Sequence, residues 1–242
     1  MTTIVLLAAV VALAHMVETM TGFGATVIAL ALGVHLLPLE QLLPSLVAVG
    51  LVQSTYLVSR HRRHIAWPVL LHRILPLAGL GLAIGATLFY LLAAPALQTL
   101  LGVFVIGVAS YRLWQLWRDA TPTSPQSLPV AAALLIGGGF FHGLFASGGP
   151  LIVTYAARAI PDKAAFRVTL SSLWLTLSGI LLITYAWTGR LDQGRLQTAL
   201  YLLPGLLVGI VAGELLHQRV PERGFRIAVQ VLLLATGVVL LT

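Results

Sequence analysis

The sequence contains no cysteine, which excludes a disulfide framework and any metal site built on thiolates. Charge is nearly as scarce. Asp, Glu, Lys and Arg make up 9% of the 242 residues, whereas a soluble domain carries about 25%. A chain of this size still has a surface to solvate, so the deficit excludes an ordinary water-soluble globule. Polar, proline-rich stretches are missing too, apart from residues 119–129 (DATPTSPQSLP). Short segments of alternating polarity, the mark of a membrane β-barrel, are also absent. What fills the chain is apolar, at 59%. Residues 41–59, 68–93, 97–110, 164–187, 194–216 and 227–242 are almost free of charge. Several of these runs reach the ~20 residues that a bilayer crossing needs. In lipid, backbone groups must pair within the segment, so the runs are helices. The expected fold class is an all-α integral membrane protein.

The net charge of +7 does not point to nucleic acid. The cations sit in short loops between apolar runs, as in Arg60-His61-Arg62-Arg63-His64, where orientation signals belong. The N-terminal run 3–19 lacks a basic n-region and a small-residue cleavage site, and is expected to remain as a membrane segment.

The polar stretch divides the chain into a first membrane repeat (1–118), a cytoplasmic linker (119–129) and a second repeat (130–242). Similar signals recur in the same order in both halves. His15 stands seven residues before Gly22, and His142 seven before Gly149. Leu75-Pro76 precedes Gly81 and Gly85, and Leu203-Pro204 precedes Gly209 and Gly213. Each half parses into five segments: 3–19, 24–36, 41–59, 68–93 and 95–117, then 128–145, 150–159, 164–187, 194–216 and 221–242. The second of each set is too short for an untilted crossing. It forms a pair with the first, broken at glycine, which tolerates positive φ. If each broken pair returns to its own side or crosses twice, Arg190 and Arg195 face outside and the other twelve Lys and Arg face the cytoplasm. If each pair crosses once, the split is eight to six. The positive-inside rule selects the first arrangement. Both termini are then periplasmic and the halves are inverted, a pattern found in transporters that bind substrate between their repeats.

The two breaks are the candidate site. Thr21, Gly22, Phe23 and Gly24 form the first; Ser147, Gly148 and Gly149 form the second. Interrupted helices expose backbone N–H groups, and a helix N-terminus favours an anion. His142 is a substrate-contacting candidate, since ionisable groups at membrane depth usually face a cavity or a partner. His15 and Glu18, one turn apart on the first helix, are the proton-coupling candidates. Gln53, Ser171, Ser172 and Trp174 are candidate cavity-lining donors, although serines also bond back to their own helix. Arg158 and Arg167 are candidates to attract anions at the cytoplasmic mouth. The glycine pairs 81/85 and 209/213 read as close helix packing. No catalytic residue, metal ligand or cofactor is expected. The expected partners are a small anionic substrate, the lipid bilayer and a second copy of the chain. Ser147 near His142 raises an intramembrane serine protease, but Phe145 stands where that class has the first glycine of its Gly-x-Ser-Gly loop.

The run Gly22–Ala25, the run 143–153 and the Leu-Pro pairs with their glycines together resemble the sulfite exporter TauE/SafE family over nearly the whole chain. The resemblance implies a bacterial inner-membrane carrier of sulfite or of organosulfonates such as sulfoacetate, often an exporter. The chain departs from the family pattern in two places: Phe140, Phe141 and His142 follow Gly137–Gly139, and Ser147 stands where glycine is common. An anion channel is the first rival and the protease the second.

Overall fold

The structure is a computed structural model. It describes residues 2–117 and 126–216, and beyond them 227, 230, 231, 233–235, 237, 238 and 241. The elements of the described chain are helical: α1 (Thr2–Thr21), α2 (Ala25–Gly33), α3 (Leu39–His61), a 3-10 turn (Arg62–His64), α4 (Trp67–Val69), a π-turn (Leu70–Ile74), α5 (Leu75–Leu91), α6 (Ala94–Trp117), α7 (Leu128–Phe145), α8 (Gly149–Ala159), α9 (Lys163–Trp187) and α10 (Gln193–Leu216). The π-turn joins α4 and α5 into one apolar rod, Trp67–Leu91. It lies immediately before Pro76, whose missing N–H interrupts the regular helical ladder. Most of the 119–129 linker, the final segment 221–242 and the cations Arg118, Arg219, Arg223 and Arg226 fall largely or wholly outside the described residues.

Seven of the described helical spans are long and apolar enough to cross a membrane. At 1.5 Å per residue, the 20-residue α1 reaches about 30 Å and the nine-residue α2 about 13 Å. The second segment of each half is therefore short, as its sequence predicts. Large apolar side chains face outward, including Leu91 at 75% exposure and Trp187 at 91%. Water would penalise that surface, and lipid does not.

The packing is reciprocal. α1 runs along α10, α7 runs along α5, and α3 packs on α9. Glycines allow the first two contacts. A Cβ on Gly81 or Gly85 would strike the carbonyl oxygen of Ile136 or Phe140 on α7. One on Gly209 or Gly213 would meet that of Ala12 or Met16 on α1. The expected packing role of both glycine pairs is thus observed.

α3 and α9 are antiparallel. Just past the end of α3, the Ala66 N–H donates to Thr169 Oγ1 near the start of α9, at 2.9 Å. At the opposite end, Ser45 Oγ donates to the Arg195 carbonyl at 3.0 Å. Arg190 and Arg195 therefore lie away from Arg60–Arg63, Lys163 and Arg167.

Candidate functional site

Helix boundaries set the register between the halves. Thr21 and Phe145 close the first helix of each half, Ala25 and Gly149 open the second, and Leu39 and Lys163 open the third. Each pair is 124 residues apart. The contacted residues agree: Ile136 and Ala12, which Gly81 and Gly209 meet, are again 124 apart, while the two glycines are 128 apart. In this register the equivalent of His142 is Glu18, where matching residues by distance to the next glycine pairs His142 with His15. Both breaks are three residues long, 22–24 and 146–148, but Gly22 opens the first while Gly149 follows the second, so counting to a glycine misaligns the helices by about one turn.

The break of the first half turns on Gly22 (φ 85°) and Gly24 (φ 105°). In the second half the left-handed residue is Ala146 (φ 50°), the equivalent of Gly22. A Cβ in that region costs roughly 1–2 kcal/mol. The two breaks meet: Gly149 lies against the Phe23 ring, over which the Arg112 guanidinium sits at 5.4 Å. Arg112 Nη2 also donates to the Pro150 carbonyl at 3.1 Å.

Between the breaks is a cavity of about 30 Å³. The first half lines it with Glu18, Gly24, Thr26, Val27, Gly50 and Ser54. The second lines it with His142, Ala146, Ser147, Gly149, Trp174 and Ser178. Three pairs are equivalent at the 124-residue register: Glu18 with His142, Gly50 with Trp174, and Ser54 with Ser178. Gly50 stands midway along α3 and Trp174 midway along α9, so the cavity is level with the centres of two spanning helices.

The polar geometry is specific. Glu18 Oε2 accepts the Ala25 N–H at 2.9 Å, which puts a carboxylate on the N-terminus of α2. His142 is buried, its Nε2 lies 3.1 Å from Ser178 Oγ, and its Nδ1 has no hydrogen-bond partner. The Trp174 ring stacks on His142 with centroids 5.5 Å apart, and its Nε1 donates to the Gly22 carbonyl at 3.2 Å.

Of the residues singled out in sequence, the structure gathers Glu18, Gly24, His142, Ser147, Gly149 and Trp174 around the cavity. Others stand apart from it. His15 Nδ1 is hydrogen-bonded to Gln53 Oε1, and Gln53 Nε2 donates to Thr19 at 3.1 Å, a buried clamp between α1 and α3. Thr21 directs its hydroxyl to the carbonyls of Val17 and Phe23, at 2.9 and 2.8 Å. Ser171 and Ser172 bond back to Arg167 and Val168. Gly148 packs on Gly138. Arg167 lies beside Gly22 and pairs with Glu214 at 3.7 Å, and Arg158 is half-buried near the end of α8. Ser147 donates to the Phe145 carbonyl at 2.8 Å, while His142 engages Ser178; no serine–histidine dyad of a protease joins these two. Gly50, Val27 and Ser178 went unnoticed in sequence, although the recurrence of serine at 54 and 178 was a usable signal. Among the described residues, no group of three His, Cys, Asp or Glu could hold a metal ion.

The model of the family described as "Sulfite exporter TauE/SafE" matches residues 7–240. The chain is also similar to the "Probable inner membrane transporter protein TsaS" of Comamonas testosteroni. The two are 27% identical over 164 residues, covering 65% of this chain and 66% of that protein. The match thus spans just under two thirds of the relative's length. No solved structure matches the chain.

Proposed function

Because the chain belongs to the sulfite exporter TauE/SafE family of membrane transporters, which are not enzymes, we propose that it is a secondary carrier of a small sulfur-containing anion. The substrate is sulfite or an organosulfonate, and the carrier works as an exporter across the bacterial inner membrane. The observation that carries this reading is the cavity at mid-depth, furnished with Glu18, Ser54, His142 and Ser178 from both halves. Ionisable groups placed so deep are costly and belong to substrate or proton pathways.

Alternating access by two inverted repeats is part of the proposal. The antiparallel run of the equivalent helices α3 and α9 supports it, as does the exchange of partners between α1–α10 and α7–α5. So does the cavity's size. About 30 Å³ takes roughly two waters at ~10–15 Å³ each, so a sulfonate needs a wider state that opens to one side.

His142, Ser178, Ser147 and the N-terminus of α8 bind the anion in this reading. Glu18 is the coupling group: an anion entering beside a carboxylate is favoured when that carboxylate carries a proton, so proton and anion travel together. His15 is assigned to the structural clamp with Gln53. The side bearing Arg60–Arg63 is cytoplasmic, and the N-terminus is periplasmic.

The test is flux into proteoliposomes together with a thermal-shift screen of sulfite, sulfate, sulfoacetate, taurine and simple carboxylates. Stabilisation by sulfite or a sulfonate with saturable, gradient-driven flux is expected. A response confined to carboxylates or cations overturns the substrate. Flux that is linear in concentration and indifferent to the proton gradient makes the protein a channel.

A further inference from the structure

The transport reading leaves open what distinguishes one anion from another, and the two faces of the cavity differ in a way that answers it. On the first-half face, the Ala25 N–H at the start of α2 is already taken by Glu18 Oε2, so an anionic head there competes with Glu18 for that donor. At the equivalent place on the second-half face stands buried His142, with Nδ1 unpartnered and with no acidic side chain among that half's lining residues. The aromatic content differs as well. Trp174 occupies the centre of α9, held by its stacking on His142 and its bond to the Gly22 carbonyl. At the same station of α3 is Gly50, where a Cβ would meet no atom within 4 Å. One wall is filled by the largest side chain and the matching wall is open.

We propose that Gly50 and Trp174 are the specificity-determining residues of the carrier: the anionic head sits on the His142–Ser178 face, and its organic substituent lies in the space over Gly50 with Trp174 as the opposing wall. This rests on the transport reading and names its substrate class, an organosulfonate with a short unbranched substituent. Sulfite has no substituent and makes no use of the Gly50 side. An alkanesulfonate fills it. The orientation is fixed because reversing the ligand would move its head from the unpartnered His142 Nδ1 to an α2 N–H already bonded to Glu18.

The test is counterflow exchange by the full chain in proteoliposomes, with sulfite, methanesulfonate, ethanesulfonate and propanesulfonate as probes. Wild type is expected to carry the sulfonates. Gly50→Leu should lower the ratio of ethanesulfonate to sulfite flux tenfold or more, whatever happens to sulfite flux itself. Gly50→Ala should lower the propanesulfonate ratio about threefold, and it carries the test if the leucine variant is not monodisperse. Trp174→Ala should shift the ratios the other way, toward longer substituents. Ratios that stay flat across the Gly50 variants overturn the proposal while leaving the transport reading intact. If wild type moves none of the four anions, the transport reading itself fails, and that is seen before any variant is compared.

Discussion

At the scale of single residues, three polar groups of α1 and α7 have separate surroundings. Glu18 and His142 line the cavity, while His15 is tied to Gln53 on α3. Replacing Glu18 by Gln should remove the coupling proton. The ratio of proton-gradient-driven flux to anion exchange should fall at least tenfold; an unchanged ratio would remove Glu18 from the coupling step. Gln53→Leu should act on stability instead. It strips His15 and Thr19 of their partner, and an interhelical hydrogen bond in lipid contributes about 0.6–1.7 kcal/mol. A lowered melting temperature in detergent with unaltered substrate ratios is the expected result, and altered ratios would return His15 and Gln53 to the site. Glu18 was legible in sequence because a carboxylate within an apolar run is costly wherever it points. Its partnership with His142 was not, because the broken segments hide the register.

At the scale of elements, the glycines of α5 separate two roles that look identical in sequence. Gly85 abuts the Phe140 carbonyl, whereas a Cβ on Gly79 meets nothing within 4 Å. Gly85→Ala should therefore destabilise the α5–α7 contact by about 1–3 kcal/mol through overpacking. Gly79→Ala on the same helix should be neutral or stabilising by up to ~1 kcal/mol, since alanine is the better helix former. Thermal melting of the two variants side by side checks this, and equal losses would deny the close approach. Helix ends were also largely readable in advance, since the glycine breaks and Pro150 mark them, whereas Pro204 of the second Leu-Pro pair lies inside α10. The π-turn at Leu70–Ile74 was not anticipated, although Pro76 supplies its cause.

At the scale of the whole molecule, charge sets orientation. His61 stands at the end of α3, beside Arg62 and Arg63, while Arg190 lies past the far end of α9 over the rings of Phe89 and Tyr90. In the cysteine-free background, His61→Cys and Arg190→Cys should react with an impermeant thiol reagent from opposite sides. The former should label in inside-out vesicles and the latter in right-side-out ones. Labelling of both from one side would refute the inverted arrangement, and reversed labelling would refute the orientation alone.

Composition and hydropathy by themselves determined that this chain lives in a membrane as a helical bundle, because lipid forbids unpaired backbone and tolerates the exposed leucines that water would not. Recurrent glycine and proline signals suggested two related halves with a break in each. The positions that face one another across the cavity were decided only in three dimensions. A helix repeats every 3.6 residues, so an error of three residues in aligning the halves leaves a side chain on the same face but one turn away. That turn separates His15 in its clamp from Glu18 at the cavity, and only the packed helices, with glycine set against carbonyl, reveal which of the two stands opposite His142.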